Sequence, residues 1–386
     1  MFKSFCKYRS NAKFACVQSI RFFEHASTET SAIPNNKSAF ANRRLNFDFS
    51  LEYQQMRSVF PSIVEELIEE QLIYHKKFPE LKKRYANLLN YTCFVDDKYL
   101  ATPVTFIHAY KSIEKPNLLT EENLKKASIF AWCFRLSESS MTIYDDIIDD
   151  SIIRYNKPTW YNLPDVGYKK AICDASFIES SISYLLLNHF SSHRQFLNLQ
   201  RELLRSYASV MISECMEVSK HKLDEFEKYQ AIIRGYAFVV PPVLCAMYLA
   251  NIDDPQLHTI ARKLLIDIGI YFAAEDDFIC MYGKQTEKDC TDAAEGKPTW
   301  LAAQAYKIGT EAHKKILEKH YGVNNKKSLM EIYKIYDELN LKEKFEQYKE
   351  TFYNETYKKI EKLPKELPGQ LFLDILDYAM IGGFRS

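Results

Sequence analysis

The chain has 386 residues, and its 51 basic and 51 acidic side chains leave no formal net charge, which argues against a nucleic-acid binder. It holds no run of about 18 apolar residues, so no membrane span is expected. Nine cysteines are scattered without a C-x-x-C pair, which suggests neither a zinc site nor a disulfide framework and points to a reduced, intracellular compartment.

Residues 1–45 differ from the rest. Lys3, Lys7, Arg9, Lys13 and Arg21 all precede the first acid, Glu24, and Phe2, Phe5, Phe14, Val17 and Phe22 add an apolar component. That composition fits a mitochondrial transit peptide, or else a basic tail without structure of its own. From 46 to 386 the chain reads as one helical domain. Segments 49–75, 78–91, 121–148, 168–190, 195–218, 224–250, 256–282, 298–319, 326–338, 341–361 and 368–380 accept a 3.6-residue apolar period. No segment alternates as a half-buried strand does, and no G-x-G-x-x-G or P-loop pattern occurs. The fold class expected is all-α.

The segment 121–148 ends in Asp145-Asp146-Ile147-Ile148-Asp149-Asp150. On a helix Asp145 and Asp149 lie one above the other, with Asp146 beside them, and like charges so placed repel by roughly 0.2–0.5 kcal/mol per pair. A hard, oxygen-seeking cation such as Mg²⁺, shared with substrate phosphates, relieves that repulsion. A solvated acidic helix end is the other reading. The segment 256–282 carries a second cluster, Glu275-Asp276-Asp277, directly after the apolar run Tyr271-Phe272-Ala273-Ala274. Two acidic helix ends of this kind can face each other across a bundle core, where helical bundles build metal sites.

With Arg154 and Trp160 after the first cluster, and Tyr282-Gly283, Thr291-Asp292, Lys297 and Trp300 after the second, the chain resembles the trans-isoprenyl diphosphate synthases, and farnesyl diphosphate synthase most. The resemblance runs from about Phe47 to the late 370s. It implies the isoprenoid-synthase helical bundle around a central cavity, a homodimer, and three Mg²⁺ held by Asp145, Asp146 and Asp149 on one side and Asp276 and Asp277 on the other. It also implies that Arg154 and Lys297 bind the diphosphate of an allylic substrate.

Departures from the family pattern follow in chain order. Where the family has a Gly-Gly-Lys-x-x-Arg-Gly loop for isopentenyl diphosphate, this chain reads Asp96-Asp97-Lys98, with Ala101 at the arginine position and Lys98 readable as a surface lysine. Glu138 replaces a neutral residue of the same site. Ser140 and Met141 stand where short-chain synthases carry an aromatic floor, so a deeper or differently shaped cavity is expected. Tyr155 replaces a second arginine. His189 and His193 lack a metalloprotease glutamate and read as surface or capping residues. Ser213 stands near a family Gln, and Arg234 stands near a family phosphate-binding Lys and is either its replacement or a surface residue. Glu275 stands where a Gln is usual, Cys280 replaces the third aspartate of the second cluster, and Lys288 falls near the diphosphate by chain position. The chain ends without a basic tail.

One substrate's site is thus kept and the other's dismantled. The resemblance then implies a terpene synthase like those of insects, ionising an allylic diphosphate, preferably farnesyl diphosphate, and releasing a sesquiterpene hydrocarbon or alcohol. Two rivals stand beside it. One is a prenyltransferase that condenses isopentenyl diphosphate through a rebuilt site. The other is a non-catalytic subunit of a synthase heterodimer, against which the intact first cluster and Arg154 argue.

Overall fold

A computed structural model describes residues 39–43, 48–72, 76–217, 223–283 and 291–384, without the side chains of residue 217 or of 223–232. The basic N-terminal stretch up to residue 38, with the expectation of a transit peptide, lies outside it, as do Lys288 and the last two residues. Among the described residues fourteen α-helices carry the fold. They are α1 (Ser50–Glu66), α2 (Pro79–Thr92), α3 (Ala101–Ile113), α4 (Glu121–Ile148), α5 (Gly167–Phe190), α6 (Phe196–Glu217), α7 (Leu223–Leu249), α8 (Pro255–Tyr282), α9 (Asp292–Glu295), α10 (Trp300–Ile308), α11 (Glu311–His320), α12 (Lys326–Glu338), α13 (Leu341–Ile360) and α14 (Gly369–Met380). The expected all-α class is what the chain adopts.

Several boundaries follow from capping chemistry. Thr120 accepts from the Asn123 amide at 3.2 Å, and Glu121 and Glu122 occupy the first turn of α4, where the helix dipole favours acids. Asp254 caps α8 from just ahead of Pro255, accepting from the Gln256 amide at 2.7 Å. The segment expected at 298–319 divides instead into α10 and α11, because Thr310 opens a new capping box with His313 directly after Gly309. The segment expected at 49–75 leaves α-geometry at Glu66 and passes through a π-turn, Leu67–Gln71. Helix α3 is an addition. Its residues Ala101–Ile107, Ala109 and Tyr110 are all buried, so it has no polar face and no amphipathic period to reveal it.

One pair of two-residue strands breaks the all-helical pattern among the described residues. Ile153–Arg154 (β1) pairs antiparallel with Lys157–Pro158 (β2) across the two-residue turn Tyr155-Asn156. Both turn residues have positive φ, 53° and 58°, as a type I′ hairpin turn requires. Ahead of α1, Phe40 belongs with the helical unit, since its amide donates to Asn354 on α13 and its ring meets Tyr353 edge-on.

Helix α4 packs on α1, α3 and α5, and α7 packs on α3, α6 and α8. Helices α4 and α8, which carry the two acidic clusters, share no extensive packing among the described residues; α3 and α7 stand between them. The α7–α8 pair approaches unusually closely. A Cβ built on Gly235 would come 2.3 Å from the Gly269 carbonyl carbon, and the reverse substitution meets Gly235 at 2.4 Å. Only glycine at both positions allows that crossing. Arg234 adjoins it on α7, and Asp277 lies eight residues further along α8.

Gly235→Val is expected to force the two backbones apart and to lower unfolding free energy by about 1–3 kcal/mol or more, as overpacking does. Chemical denaturation followed by circular dichroism checks this; an unchanged midpoint would show that the crossing is not tight.

Candidate active site

The hairpin after α4 turns the chain back over the first acidic cluster. As a result the Arg154 guanidinium lies against both Asp145, at 2.5 Å, and Asp146, with Nε donating to Asp146 Oδ1 at 2.8 Å. Asp146 is buried, Asp145 half-buried. Burial of Arg154 works against its charge, but Asp146 and Asp145 more than offset this and hold it protonated. Asp149 closes α4, and its Oδ2 accepts from Lys297 Nζ at 3.0 Å across 148 positions of sequence. Lys297 also lies 3.2 Å from Glu295.

In the second cluster the acids diverge. Asp276 is exposed, whereas Asp277 is buried, accepts from the Trp300 amide at 2.7 Å and lies 3.7 Å from Arg234. Burial pushes the Asp277 carboxyl well above the usual carboxylate range, against the pull of Arg234. Asp277 thus steadies the N-terminus of α10 as well as facing Arg234. Glu275, buried, takes an ammonium from α13, Lys349, at 2.7 Å.

The structure therefore brings together Asp145, Asp146, Asp149, Arg154 and Lys297, and places the half-buried Arg234 against Asp277. His189 pairs with Glu66 at 2.8 Å and His193 accepts from the Gln195 amide at 3.1 Å, so neither joins the site. Ser213 is buried in α6. Cys280 is disulfide-bonded, a single link that the scattered cysteines did not suggest, and a sulfur so committed is no metal ligand. No three His, Cys, Asp or Glu side chains converge as a preformed cation cage among the described residues. The donors are nonetheless all carboxylate oxygens, which suits a hard cation that draws its remaining ligands from water and phosphate.

The region expected to repel a second diphosphate is compensated. Glu138 sits one turn beyond Arg135 on α4 and pairs with it at 3.3 Å. The buried Arg135 also donates to the Thr92 carbonyl at 2.8 Å and the Cys93 carbonyl at 3.1 Å, and its Nη1 lies 3.5 Å from the Tyr155 hydroxyl. Burial raises the Glu138 carboxyl above its ordinary range although Arg135 opposes this. Asp97 is paired with Arg57 at 2.6 Å. Lys157, on β2, is held down in pKa by burial first and by Arg135 second, with Asp96 acting the other way. Lys98 is exposed, its ammonium 4.7 Å over the Tyr99 ring. Sequence reading weighed the acids here and missed Arg135, Arg57 and Lys157. The Arg135–Glu138 spacing of three was a visible helical pair signal.

Comparison with known proteins agrees with this geometry. Residues 82–339 match the family model described as polyprenyl synthetase. The farnesyl pyrophosphate synthase of Murgantia histrionica is 29% identical over 328 residues, covering 83% of this chain and 79% of that protein. That of Bos taurus is 28% identical over 340 residues, covering 85% and 95%. A T. brucei farnesyl diphosphate synthase complexed with homorisedronate superposes with a TM-score of 0.75 at 19% identity, covering 87% of this chain and 100% of that one. These relatives overturn the expectation of a terpene synthase. That expectation counted Glu138 and Asp97 as free negative charges, and both are neutralised by arginine.

Glu138→Ala is expected to leave Arg135 as an uncompensated buried charge and to lower unfolding free energy by about 3–5 kcal/mol. Urea denaturation of the purified variant checks this. A change within about 0.5 kcal/mol would mean that the pair does not hold that region.

Proposed function

The chain belongs to the polyprenyl synthetase family, and from that premise we propose that it is a prenyltransferase. It couples isopentenyl diphosphate to an allylic diphosphate, with farnesyl diphosphate as the product. The observation that carries the proposal is the Lys297–Asp149 bridge, which spans 148 positions of sequence and ties the first acidic cluster to the segment just ahead of Trp300, whose amide donates to Asp277 of the second.

In this reading Asp145, Asp146 and Asp149, with Asp276 and Asp277, hold Mg²⁺ together with the allylic diphosphate. The bound metal supplies Lewis-acid neutralisation of the leaving diphosphate. Arg154, Lys297 and Arg234 bring fixed positive charge to the same group as the C–O bond breaks. The allylic carbon then bonds to the isopentenyl alkene, which gives up a proton, and diphosphate leaves. Arg154 suits the task because its planar fork can pass from a carboxylate to a diphosphate without change of geometry. Lys157 brings positive charge to the second diphosphate in place of the missing family arginines, while Arg135 cancels the charge of Glu138 beside it. Lys157 spends one of its three donors on the Tyr91 carbonyl.

A homodimer fits the outer face of α5 and α6, where Leu187, Leu197, Leu204 and Ile212 are exposed, Leu197 to 67%. No described helix is long and apolar enough to cross a membrane.

With Mg²⁺, geranyl or dimethylallyl diphosphate and isopentenyl diphosphate, the purified protein is expected to release an elongated diphosphate. Asp145→Ala and Asp149→Ala are expected to lose at least about 10²-fold in turnover with an unchanged circular dichroism spectrum. Chromatography with mass spectrometry reads the products. A hydrocarbon formed from the allylic substrate alone, without elongation, would contradict the proposal.

A further inference from the structure

Lys297 reaches Asp149 from the link between α9 and α10, and a lysine is a flexible four-carbon stem ending in a point charge. Its ammonium, 3.0 Å from Asp149 and 3.2 Å from Glu295, is therefore no better placed than the backbone that carries it. That backbone is constrained on both sides. Gly296 closes α9 in the left-handed region at φ 76°, and Pro298 biases Lys297 toward extended backbone. The Lys297 N–H donates to the Asp292 carbonyl at 2.8 Å.

The Lys297 carbonyl is held from a different helix. It accepts from the hydroxyl of Tyr321, which caps the C-terminus of α11. Tyr321 is itself well anchored. Its N–H donates to the Leu317 carbonyl at 2.9 Å, and the next N–H, of Gly322, donates to the Ala293 carbonyl of α9 at 2.9 Å. Glycine allows that approach, since a Cβ on Gly296 would come 3.0 Å from the Gly322 Cα. The phenol has one proton and gives it to Lys297. The Thr299 hydroxyl, 3.3 Å away, then donates to the phenol oxygen, while its own oxygen accepts from the Ala302 amide at 3.1 Å and caps α10. Burial pushes the phenol above its ordinary range, so it stays a neutral donor. One hydroxyl thus ties the Lys297 backbone to the helix whose Trp300 amide engages Asp277.

We propose that Tyr321 is a positioning residue for the diphosphate: its hydroxyl clamps the Lys297 carbonyl and fixes where the Lys297 ammonium meets the phosphate oxygens. The inference rests on the reading of Lys297 as a diphosphate ligand. Ring and hydroxyl have separable tasks. The ring packs between α11 and the link, and the hydroxyl sets the lysine. Without the hydroxyl the link between Gly296 and Pro298 regains freedom, and the ammonium must give up that freedom each time a diphosphate binds.

The test is a double-mutant cycle on the full chain. Wild type, Tyr321→Phe, Lys297→Met and the double variant are titrated with inorganic diphosphate in the presence of Mg²⁺ by isothermal titration calorimetry, and each is checked for its fold by circular dichroism. Lys297→Met is expected to weaken diphosphate binding by at least about tenfold. Tyr321→Phe, which keeps the ring, is expected to weaken it by about fivefold. Added to Lys297→Met, the same substitution is expected to change affinity by less than about twofold, because the residue it positions is gone. An unchanged affinity in Tyr321→Phe overturns the inference. So does an equal loss in the Lys297→Met background, or failure of Tyr321→Phe to fold, since either makes the hydroxyl a general structural bond. An unchanged affinity in Lys297→Met overturns the diphosphate role of Lys297, and this inference with it. The expected cycle in a protein that forms no elongated product overturns the prenyltransferase reading alone.

Discussion

Asp146 has almost no contact with solvent, and a carboxylate so placed is tolerable only while a cation stays beside it. Arg154 meets that need, and the need shapes the region around it. The hairpin must turn tightly enough to bring Arg154 back over α4. It does so through Tyr155 and Asn156, both in a backbone region that tyrosine seldom adopts. The same demand recurs at the buried Asp277 with Arg234, and the exposed Asp149 pairs with Lys297. Each acid of the two clusters that is withdrawn from solvent has a basic neighbour from a different element. A substrate diphosphate can draw on those same cations, because they already sit beside the carboxylates that would share a metal with it.

The scaffold keeps those charges at their spacing. Gly235 and Gly269 let α7 and α8 touch backbone to backbone, which carries Arg234 to the level of Asp277. Trp300 then ties α10 to α8 through the hydrogen bond that its backbone N–H donates to Asp277, and Lys297 lies three residues ahead of it, bonded to Asp149 at the end of α4. Stability and site geometry are therefore linked at Asp277. That residue both caps a helix and faces a cation.

Much of this was legible in the amino-acid order. The two acidic clusters, Arg154 and Lys297 stand next to strongly periodic or motif-like segments, and local spacing carries that information. Helix α3 was not legible because burial on all sides erases periodicity. Lys157 and Arg57 were not, because they act on residues far away in sequence or across a hairpin. Glu138 is the instructive case. Its partner Arg135 lies three residues upstream on the same helix, yet comparison position by position against a family pattern treats each residue alone. Charge repulsion was then inferred where the fold has made a neutral pair, and the wrong reaction class followed.

The central claim is that the carboxylates do not form a finished metal cage, and that a diphosphate completes the site by engaging Arg154 and Lys297. Binding of Mg²⁺ to the full chain, measured by isothermal titration calorimetry with and without inorganic diphosphate, tests it without turnover. Heats from Mg²⁺–diphosphate association in protein-free controls are subtracted. The account predicts weak Mg²⁺ binding alone and at least about a tenfold gain in affinity with diphosphate, with a matching gain for diphosphate when Mg²⁺ is present, since the coupling is reciprocal. Equal Mg²⁺ affinity in both conditions would contradict it.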